Sequence, residues 1–401
     1  MVELLIVLGA AALLVRVGQA LYATGLGRSK NAAGAATRSL FDLCAAALAF
    51  WAVGAAILFQ QHNPVFALKG SLVLGWRVAP DAAGVVFFHA AAVLIASGVL
   101  AGTLAERSRF FPAAAASVLL AGLVVPLAGN WAWAGWLRRL GFIDLAGASV
   151  IHLAAGAAAF VGAMLVGPRN GKYHRDGSAS NIPGHNLPLA AAGAFVMLPG
   201  WVAYVLGFAL VADGPLGVVA LNVLLAAAAG GLAALLLGRF RYGKPDPALA
   251  LLGFLGGLVA ITAGAAHVRP PSAFLIGAVA GVLVPLAAVA LDLFMHVDDP
   301  AGGISVHAVG GLWGTFAAGL FAPGYFAERL QQAGIQLLGA TAICALAAAA
   351  AFALFYALRQ TVGLRAREAD EFDGLDLAEH DIGAYPDFQQ TTIKSYHLRE
   401  A

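Results

Sequence analysis

The chain has 401 residues, of which 61% are hydrophobic and 11% are charged, and its formal net charge is +2. A soluble domain carries about 25% charged residues, so this composition excludes a soluble fold and indicates an integral membrane protein. The sequence has no basic patch interleaved with aromatic residues, which argues against nucleic-acid binding. Its apolar runs are continuous and longer than the alternating segments of about ten residues that build membrane barrels, so they predict helices.

About eleven apolar windows, each long enough to cross a membrane, follow one another along the chain. We place them near 2–24, 38–60, 83–104, 111–133, 145–167, 187–212, 215–238, 248–267, 273–294, 304–322 and 335–358. Sixteen Lys and Arg residues fall on one side of the resulting topology and six on the other. This bias predicts a multi-pass inner-membrane protein whose N-terminus is outside and whose C-terminus is cytoplasmic.

Two segments 155 residues apart repeat one pattern, in which an Asp precedes a His by eight residues: Asp144 to His152 and Asp299 to His307. They open the fifth and the tenth windows, and an odd separation means that the two units run in opposite directions. The sequence therefore predicts an all-α membrane protein with an inverted five-helix repeat and one additional helix. We expect a membrane domain over 1–358 and a cytoplasmic C-terminal tail over 359–401.

Ionisable groups inside a membrane are expensive, so a repeated intramembrane histidine indicates function. A neutral imidazole carries one donor and one acceptor, and His152 and His307 together could pass a small polar neutral molecule along an apolar channel. The alternative is two unrelated core histidines, each bonded to a backbone carbonyl. The repeated spacing favours the pair. No nucleophile–base pair or metal-ligand cluster stands apart from it, so we expect no enzyme activity, cofactor or metal.

Aromatic and polar residues gather at the expected outer end of these helices: Trp131, Trp133, Trp136, Phe88, His89, Trp201 and Tyr204. The tryptophans fit the interfacial belt of membrane proteins, and one of them could instead hold a cation by cation–π attraction. Asp144 could cap the helix that follows it, set the field felt by a cation at the mouth, or do both.

The segment after 365 mixes acidic and basic residues. Such composition is typical of a solvated tail. The alternative is a docked regulatory segment anchored by Leu375, Leu377, Tyr385 and Phe388.

The following stretches, taken together, form a sequence signature that is specific to one family of proteins: 26–31, 104–110, 130–137, 142–152, 184–188, 258–264, 297–314 and 362–380. In these stretches, and over nearly its whole length, the chain resembles the ammonium transporter (Amt/Rh) family.

The resemblance implies eleven helices related by a pseudo-twofold axis, assembled in lipid as a homotrimer with one pore per subunit. It makes His152 and His307 the twin histidines of the lumen, Asp144 the aspartate beneath the outer vestibule, and Trp133 the vestibule tryptophan. It implies that ammonium is recruited there and loses a proton, and that ammonia then crosses the lumen. It also implies a PII-type regulatory partner at the cytoplasmic face.

The outer mouth departs from the family pattern. Phe88 matches one gating phenylalanine, but Ala92 stands at the gate position a turn later and Tyr204 provides the second gate ring. Phe208 stands where the family has a serine that accepts a hydrogen bond from ammonium, and His89 replaces a glutamine. We expect Phe208 to refill the volume that Ala92 vacates. The main hypothesis is transport of ammonium or ammonia; the alternative is an ammonium-binding sensor or pseudo-transporter with a modified gate.

Overall fold

The structure, a computed structural model, describes residues 1–60 and 82–385 of the chain. These residues are almost entirely helical and contain two isolated β-bridges but no strand. Nine of their helices are long and apolar enough to cross a membrane. The all-helical membrane fold predicted from the sequence is therefore confirmed.

In chain order the spanning elements are α1 (Val2–Leu26), α2 (Ser29–Leu58), α3 (Ala83–Leu104), α4 (Phe110–Arg139), α5 (Ala148–Val166), α6 (Leu187–Val211), α7 (Leu216–Tyr242), α8 (Pro247–Ile261), α9 (Pro270–Leu293), α10 (a π-helical turn Gly303–Val309 followed by the α-helix Gly310–Leu320) and α11 (Phe326–Thr361). The elements α8 and α10 are shorter than the other nine. Each predicted window overlaps one of these elements.

Local sequence signals explain where several helices begin. The side chain of Asn186 accepts a hydrogen bond from the Leu189 amide at the start of α6 (2.9 Å). Asp246 does the same for the Ala248 amide at the start of α8 (2.8 Å), where a proline follows the cap. Such caps satisfy amides that have no partner within the helix, which matters most where water is scarce.

The two halves of the bundle meet through reciprocal contacts between α1 and α6. A Cβ atom on Gly18 would lie 2.4 Å from Met197 Cγ, and one on Gly200 would lie 2.7 Å from the Val15 amide nitrogen. Val15 and Met197 each precede the glycine of their own helix by three residues. Residue-for-residue reciprocity is the mark of a twofold relation, so these contacts agree with the inverted repeat.

A buried ion pair ties the first helices together. Arg16 on α1 contacts Asp42 on α2, and both side chains are about 5% exposed or less. The hydroxyl of Ser97 on α3 donates to Asp42 (3.1 Å), and that of Ser117 on α4 donates to the other oxygen of the same carboxylate. A charge in a membrane interior requires such a partner, and this explains how the first predicted window accommodates an arginine.

The C-terminal segment lies against one end of the bundle, here called the tail end; the end near Trp133 and Asp144 is called the vestibule end. After α11, which ends at Thr361, two short helices follow, α12 (Glu368–Asp373) and α13 (Leu375–His380). The Asp376 carboxylate accepts hydrogen bonds from the amides of Ala33 (2.9 Å) and Gly34 (2.6 Å) at the start of α2.

Leu375 is 2% exposed, whereas Leu377 is exposed on the surface. The Tyr385 hydroxyl hydrogen-bonds His185 Nε2 at 2.8 Å. The segment is thus docked as far as Tyr385, and Phe388, the fourth anchor considered from the sequence, lies outside the described residues.

Candidate functional site

Both histidines are presented by the same local structure. In each repeat the chain turns at a glycine in the left-handed region, Gly147 (φ 92°) and Gly302 (φ 67°), and then enters a π-helical turn that contains the histidine. Glycine adopts this conformation without the steric cost that a side chain would bring. The repeated sequence pattern therefore becomes a repeated backbone, which is why His152 and His307 occupy equivalent places.

Close packing of α5 against α10 brings the histidines together. Gly156 and Gly311 each follow the histidine of their helix by four residues. A Cβ atom on Gly156 would lie 2.3 Å from the Ala308 amide nitrogen, and one on Gly311 would lie 2.9 Å from that of Leu153. Larger residues at these two positions would push the helices, and hence the imidazoles, apart.

The two imidazoles face each other inside the bundle. The Nδ1 atoms of His152 and His307 lie 3.0 Å apart, and the ring centroids are separated by 5.1 Å with an interplanar angle of 27°. His152 is fully buried and His307 is 9% exposed. At this distance one Nδ1 donates and the other accepts, so the accepting ring is neutral and only one of the two Nδ1 atoms carries a proton.

His152 is also held by two residues of α6. Its Nε2 atom lies 3.0 Å from the Tyr204 hydroxyl, and its ring stacks on Trp201 with a centroid separation of 4.8 Å and an angle of 10°. Tyr204 was expected as a gate ring at the mouth; the structure places its hydroxyl directly on the histidine pair. Both ring nitrogens of His152 therefore have partners within the protein.

On the tail side of His307 the structure has a cavity of about 30 Å³. Its polar and aromatic wall is formed by Gln19, Tyr22, Trp201 and His307. Such a volume holds roughly one or two molecules of the size of water or ammonia. Sequence reasoning missed Gln19 and Tyr22, although the similarity of Gly18-x-x-x-Tyr22 to Gly200-x-x-x-Tyr204 was a usable signal.

Asp144 is the N-terminal cap of α5. Its carboxylate accepts hydrogen bonds from the amides of Gly147 (2.8 Å), Ala148 (2.8 Å), Ser149 (2.9 Å) and Val150 (3.1 Å), and from the Ser149 hydroxyl. Both carboxylate oxygens are used in this way. The geometry is that of the capping interpretation.

Trp133 is tied to the same turn, since its Nε1 atom donates to the Asp144 carbonyl at 2.7 Å. Its ring lies against Phe208, with centroids 4.9 Å apart. Phe208 also packs against Phe88 at 5.1 Å and against His89 at 5.3 Å. The structure thus brings together at the vestibule end four of the side chains that were placed at the mouth from the sequence: Trp133, Phe88, His89 and Phe208.

His89 lies in the middle of this aromatic group. Its Nδ1 atom is 2.8 Å from the Val85 carbonyl, and its ring contacts Phe59, a residue that sequence reasoning missed, at a centroid distance of 5.1 Å. Ala92, a turn further along α3, is 1% exposed. Phe208 and His89 pack against each other and against Phe88, so aromatic rings close the vestibule end among the residues that the structure describes.

Charged residues at the tail end form a network separate from the lumen. Arg169 binds Asp298 through its backbone amide (3.0 Å), Nε (2.8 Å) and Nη2 (3.0 Å), and binds Glu106 through Nη1 (2.9 Å). Burial alone would raise the pKa of Asp298, but the charges of Arg107 and Arg169 outweigh it and hold that pKa at about 2. This network fixes the turn that leads into α10 and His307.

The fold and the site together define a multi-pass membrane protein whose inverted halves meet at a buried imidazole pair. The family model described as Ammonium Transporter Family matches residues 4–385. Ammonium transporter Amt2 of Archaeoglobus fulgidus is 34% identical over 410 residues, which cover 96% of this chain and 87% of the relative. The chain belongs to the ammonium transporter family.

Solved structures that resemble this chain agree with the family assignment. One described as "Sensor Amt Protein" has a TM-score of 0.89 and 33% identity, and the match covers 94% of this chain and 98% of that one. Mep2 of Candida albicans has a TM-score of 0.81 and 25% identity, and the match covers 97% of this chain and 91% of that one.

Proposed function

We propose that the protein moves ammonium across the membrane by passing ammonia through the lumen that contains His152 and His307. The observation that carries this proposal is the buried pair of imidazoles, 3.0 Å apart at Nδ1, on antiparallel repeats. A neutral imidazole pair offers both a donor and an acceptor to a molecule that itself has N–H groups and a lone pair.

Charge explains why the proton must leave first. Moving a monovalent cation from water into a medium of low dielectric constant costs on the order of 20 kcal/mol by an idealised estimate. Ammonium avoids most of this cost by releasing its proton, whereas potassium has no proton to release. The lumen therefore selects ammonia over alkali cations.

We place recruitment and deprotonation at the vestibule end. Trp133, Phe88 and Phe208 offer aromatic faces to a cation there, and the buried negative charge of Asp144 attracts it. Because both Asp144 oxygens already accept hydrogen bonds, Asp144 acts through its field and not as a direct ligand. His89 completes the mouth, and Tyr204 lies between Phe208 and His152.

The cellular location and the assembly of the protein belong to the same proposal. The charge bias of sixteen basic residues against six supports an inner-membrane protein with the N-terminus outside and the tail end in the cytoplasm. Membership of the family supports a homotrimer, a membrane domain over 1–358 with a cytoplasmic tail over 359–401, and a PII-type protein bound at the tail end.

The test is methylammonium uptake by a transport-deficient strain that expresses either the wild-type protein or His152→Ala. We expect uptake with the wild type and at least a tenfold loss with the variant, because the pair cannot form without its second imidazole. Equal uptake by the two would remove the histidines from the mechanism.

The sensor alternative is supported by the description of one structural neighbour. It predicts that the wild-type protein binds methylammonium but gives no uptake above that of the strain alone. Equilibrium binding to purified protein, measured beside the uptake assay, distinguishes the two functions.

A further inference from the structure

The backbone that leads into Asp144 is held by a side chain of α11. Gln336 is fully buried, and its Oε1 atom accepts a hydrogen bond from the Ile143 amide (2.8 Å). Its Nε2 atom donates to the Ile143 carbonyl (2.5 Å) and to the Thr315 carbonyl on α10 (3.1 Å). One amide side chain thus binds both backbone polar groups of the residue before Asp144. We call this set of hydrogen bonds the Gln336 clamp.

Further hydrogen bonds fix the chain on both sides of Ile143. The half-buried Gln332, one turn earlier on α11, donates to the Gly141 carbonyl (2.8 Å). On the other side, the Asp144 carbonyl accepts a hydrogen bond from Trp133 Nε1 (2.7 Å). The position of the Trp133 ring therefore depends on the same stretch of backbone that carries the Asp144 carboxylate.

The second repeat holds the equivalent residue with a charged group. The residue before Asp299 is Asp298, and its carbonyl accepts a hydrogen bond from Nη2 of the buried Arg107 (2.8 Å). The same guanidinium lies 3.9 Å from the Asp298 carboxylate. At the vestibule end the equivalent carbonyl is bound by the neutral amide of Gln336, on a helix that lies outside the inverted repeat.

The neutrality of this amide matters because of the charge of Asp144. In the part of the chain that the structure describes, Asp144 forms no ion pair. A guanidinium beside it would cancel much of the field that attracts a cation to the mouth. An amide fixes the backbone without adding a positive charge.

We propose that Gln336 is a positioning residue for cation recruitment at the vestibule end. It holds Ile143 and, through that residue, the Asp144 carboxylate and the Trp133 ring where the cation is received. The inference rests on the proposed function and adds a residue from outside the repeat. The histidine pair is set by the packing of α5 on α10, so loss of the clamp weakens cation binding more than passage through the lumen.

The experiment is equilibrium binding of radiolabelled methylammonium to the purified full-length protein, which gives a Kd and a number of binding sites per protein. Gln336→Met removes the clamp and fills nearly the same volume, whereas Gln332→Met removes only the outer hydrogen bonds of this region. We expect the Kd to rise about fivefold in Gln336→Met and about twofold in Gln332→Met, following the number of hydrogen bonds lost. The KM for uptake by a transport-deficient strain rises by the same factors.

The matched control is Asn31→Leu at the tail end. Asn31 is a buried amide of the same kind, since its Nδ2 atom donates to Glu106 (3.0 Å) and its Oδ1 atom accepts from the Leu375 amide (2.8 Å). Its loss removes buried hydrogen bonds far from the mouth. We therefore expect fewer folded molecules and an unchanged Kd.

A Kd that rises in both glutamine variants but not in Asn31→Leu supports the inference. A Gln336→Met protein that has fewer sites of wild-type Kd would show that the clamp only stabilises the fold, and would overturn it. If Gln336→Met fails to fold, a wild-type Kd in Gln332→Met overturns it. An equal rise of the Kd in Asn31→Leu does so as well.

The binding and uptake assays separate two failures. A wild-type protein that binds methylammonium without uptake, and whose Kd rises in Gln336→Met, would reject transport and keep the positioning role. Wild-type uptake with a KM that Gln336→Met leaves unchanged would keep transport and reject the positioning role.

Discussion

The vestibule end and the tail end of the lumen are built on one repeated motif, but they differ in the hydrogen bonds and side chains around it. At the vestibule end Asp144 accepts five hydrogen bonds and Tyr204 closes directly on His152. At the tail end Asp299 accepts three, all on Oδ2, and within the described residues its buried Oδ1 has no partner. There Tyr22 faces a cavity.

The difference shows which features the duplication preserves. The left-handed glycine, the π-helical turn and the histidine are the same in both halves because together they place the imidazole. The residues around them have diverged. One end of the histidine pair is closed by protein groups and the other has space for a solute. This difference fits a conduit that recruits a cation on one side and lets only ammonia pass.

The largest expected effect compares the two capping aspartates. Asp144→Ala would leave four buried amides and a hydroxyl without their acceptor, and we expect it to lower the free energy of unfolding by about 4 kcal/mol. Asp299→Ala, which removes three hydrogen bonds, should cost about 2 kcal/mol. Thermal unfolding of the detergent-solubilised variants measures both, and equal losses would contradict this asymmetry between the two ends.

The next effect concerns the tail end and its dependence on pH. The pKa of Asp298 is about 2 in the folded protein against an ordinary value of 3.8, so its contribution to stability is complete above pH 4. That contribution is lost as the pH falls from about 4 to 2. Asp298→Asn breaks the buried pair with Arg169 and should cost about 3 kcal/mol at pH 7.

The melting temperature measured across pH 2.5 to 7 is the check. The wild type should lose more stability below about pH 4 than Asp298→Asn does, because only the wild type has this carboxylate to protonate. Parallel curves would show that Asp298 does not carry the acid sensitivity of the tail end.

A smaller effect is expected at the mouth. Phe208→Ser would restore the hydroxyl that the family pattern has there and would loosen the packing on Phe88 and Trp133. We expect the KM for methylammonium uptake to fall about threefold, the effect of one added hydrogen bond. Phe208→Ala is the matched control, because it opens the same space without a hydroxyl. If the two variants behave alike, space and not the hydroxyl limits recruitment.

Much of this organisation could be predicted from the sequence, because long apolar windows and repeated spacing report directly on membrane physics. The window order, the inverted repeat and the proximity of His152 and His307 all follow from them. Of the residues expected at the mouth, Phe88, His89 and Phe208 pack together there. Their roles in recruitment remain predictions.

Other features depend on distances that a linear pattern does not contain. Its position in the sixth window and the resemblance to the family placed Tyr204 near the mouth, but whether its hydroxyl reaches His152 depends on how tightly α6 packs on α5. The partner of Arg16 is 26 residues away on another helix and was not foreseen. Composition favoured a solvated tail, whereas individual contacts such as Asp376 with the start of α2 hold the segment in place.

The most direct test of the central claim is ammonium-driven flux through purified protein in liposomes, comparing the wild type with the double variant His152→Ala/His307→Ala. His267→Ala, at an exposed histidine outside the lumen, is the control. We expect flux with the wild type and with His267→Ala and at least a tenfold loss in the double variant, because the lumen then lacks the donor and the acceptor that the imidazole pair offers to ammonia. Wild-type flux in the double variant would contradict the account.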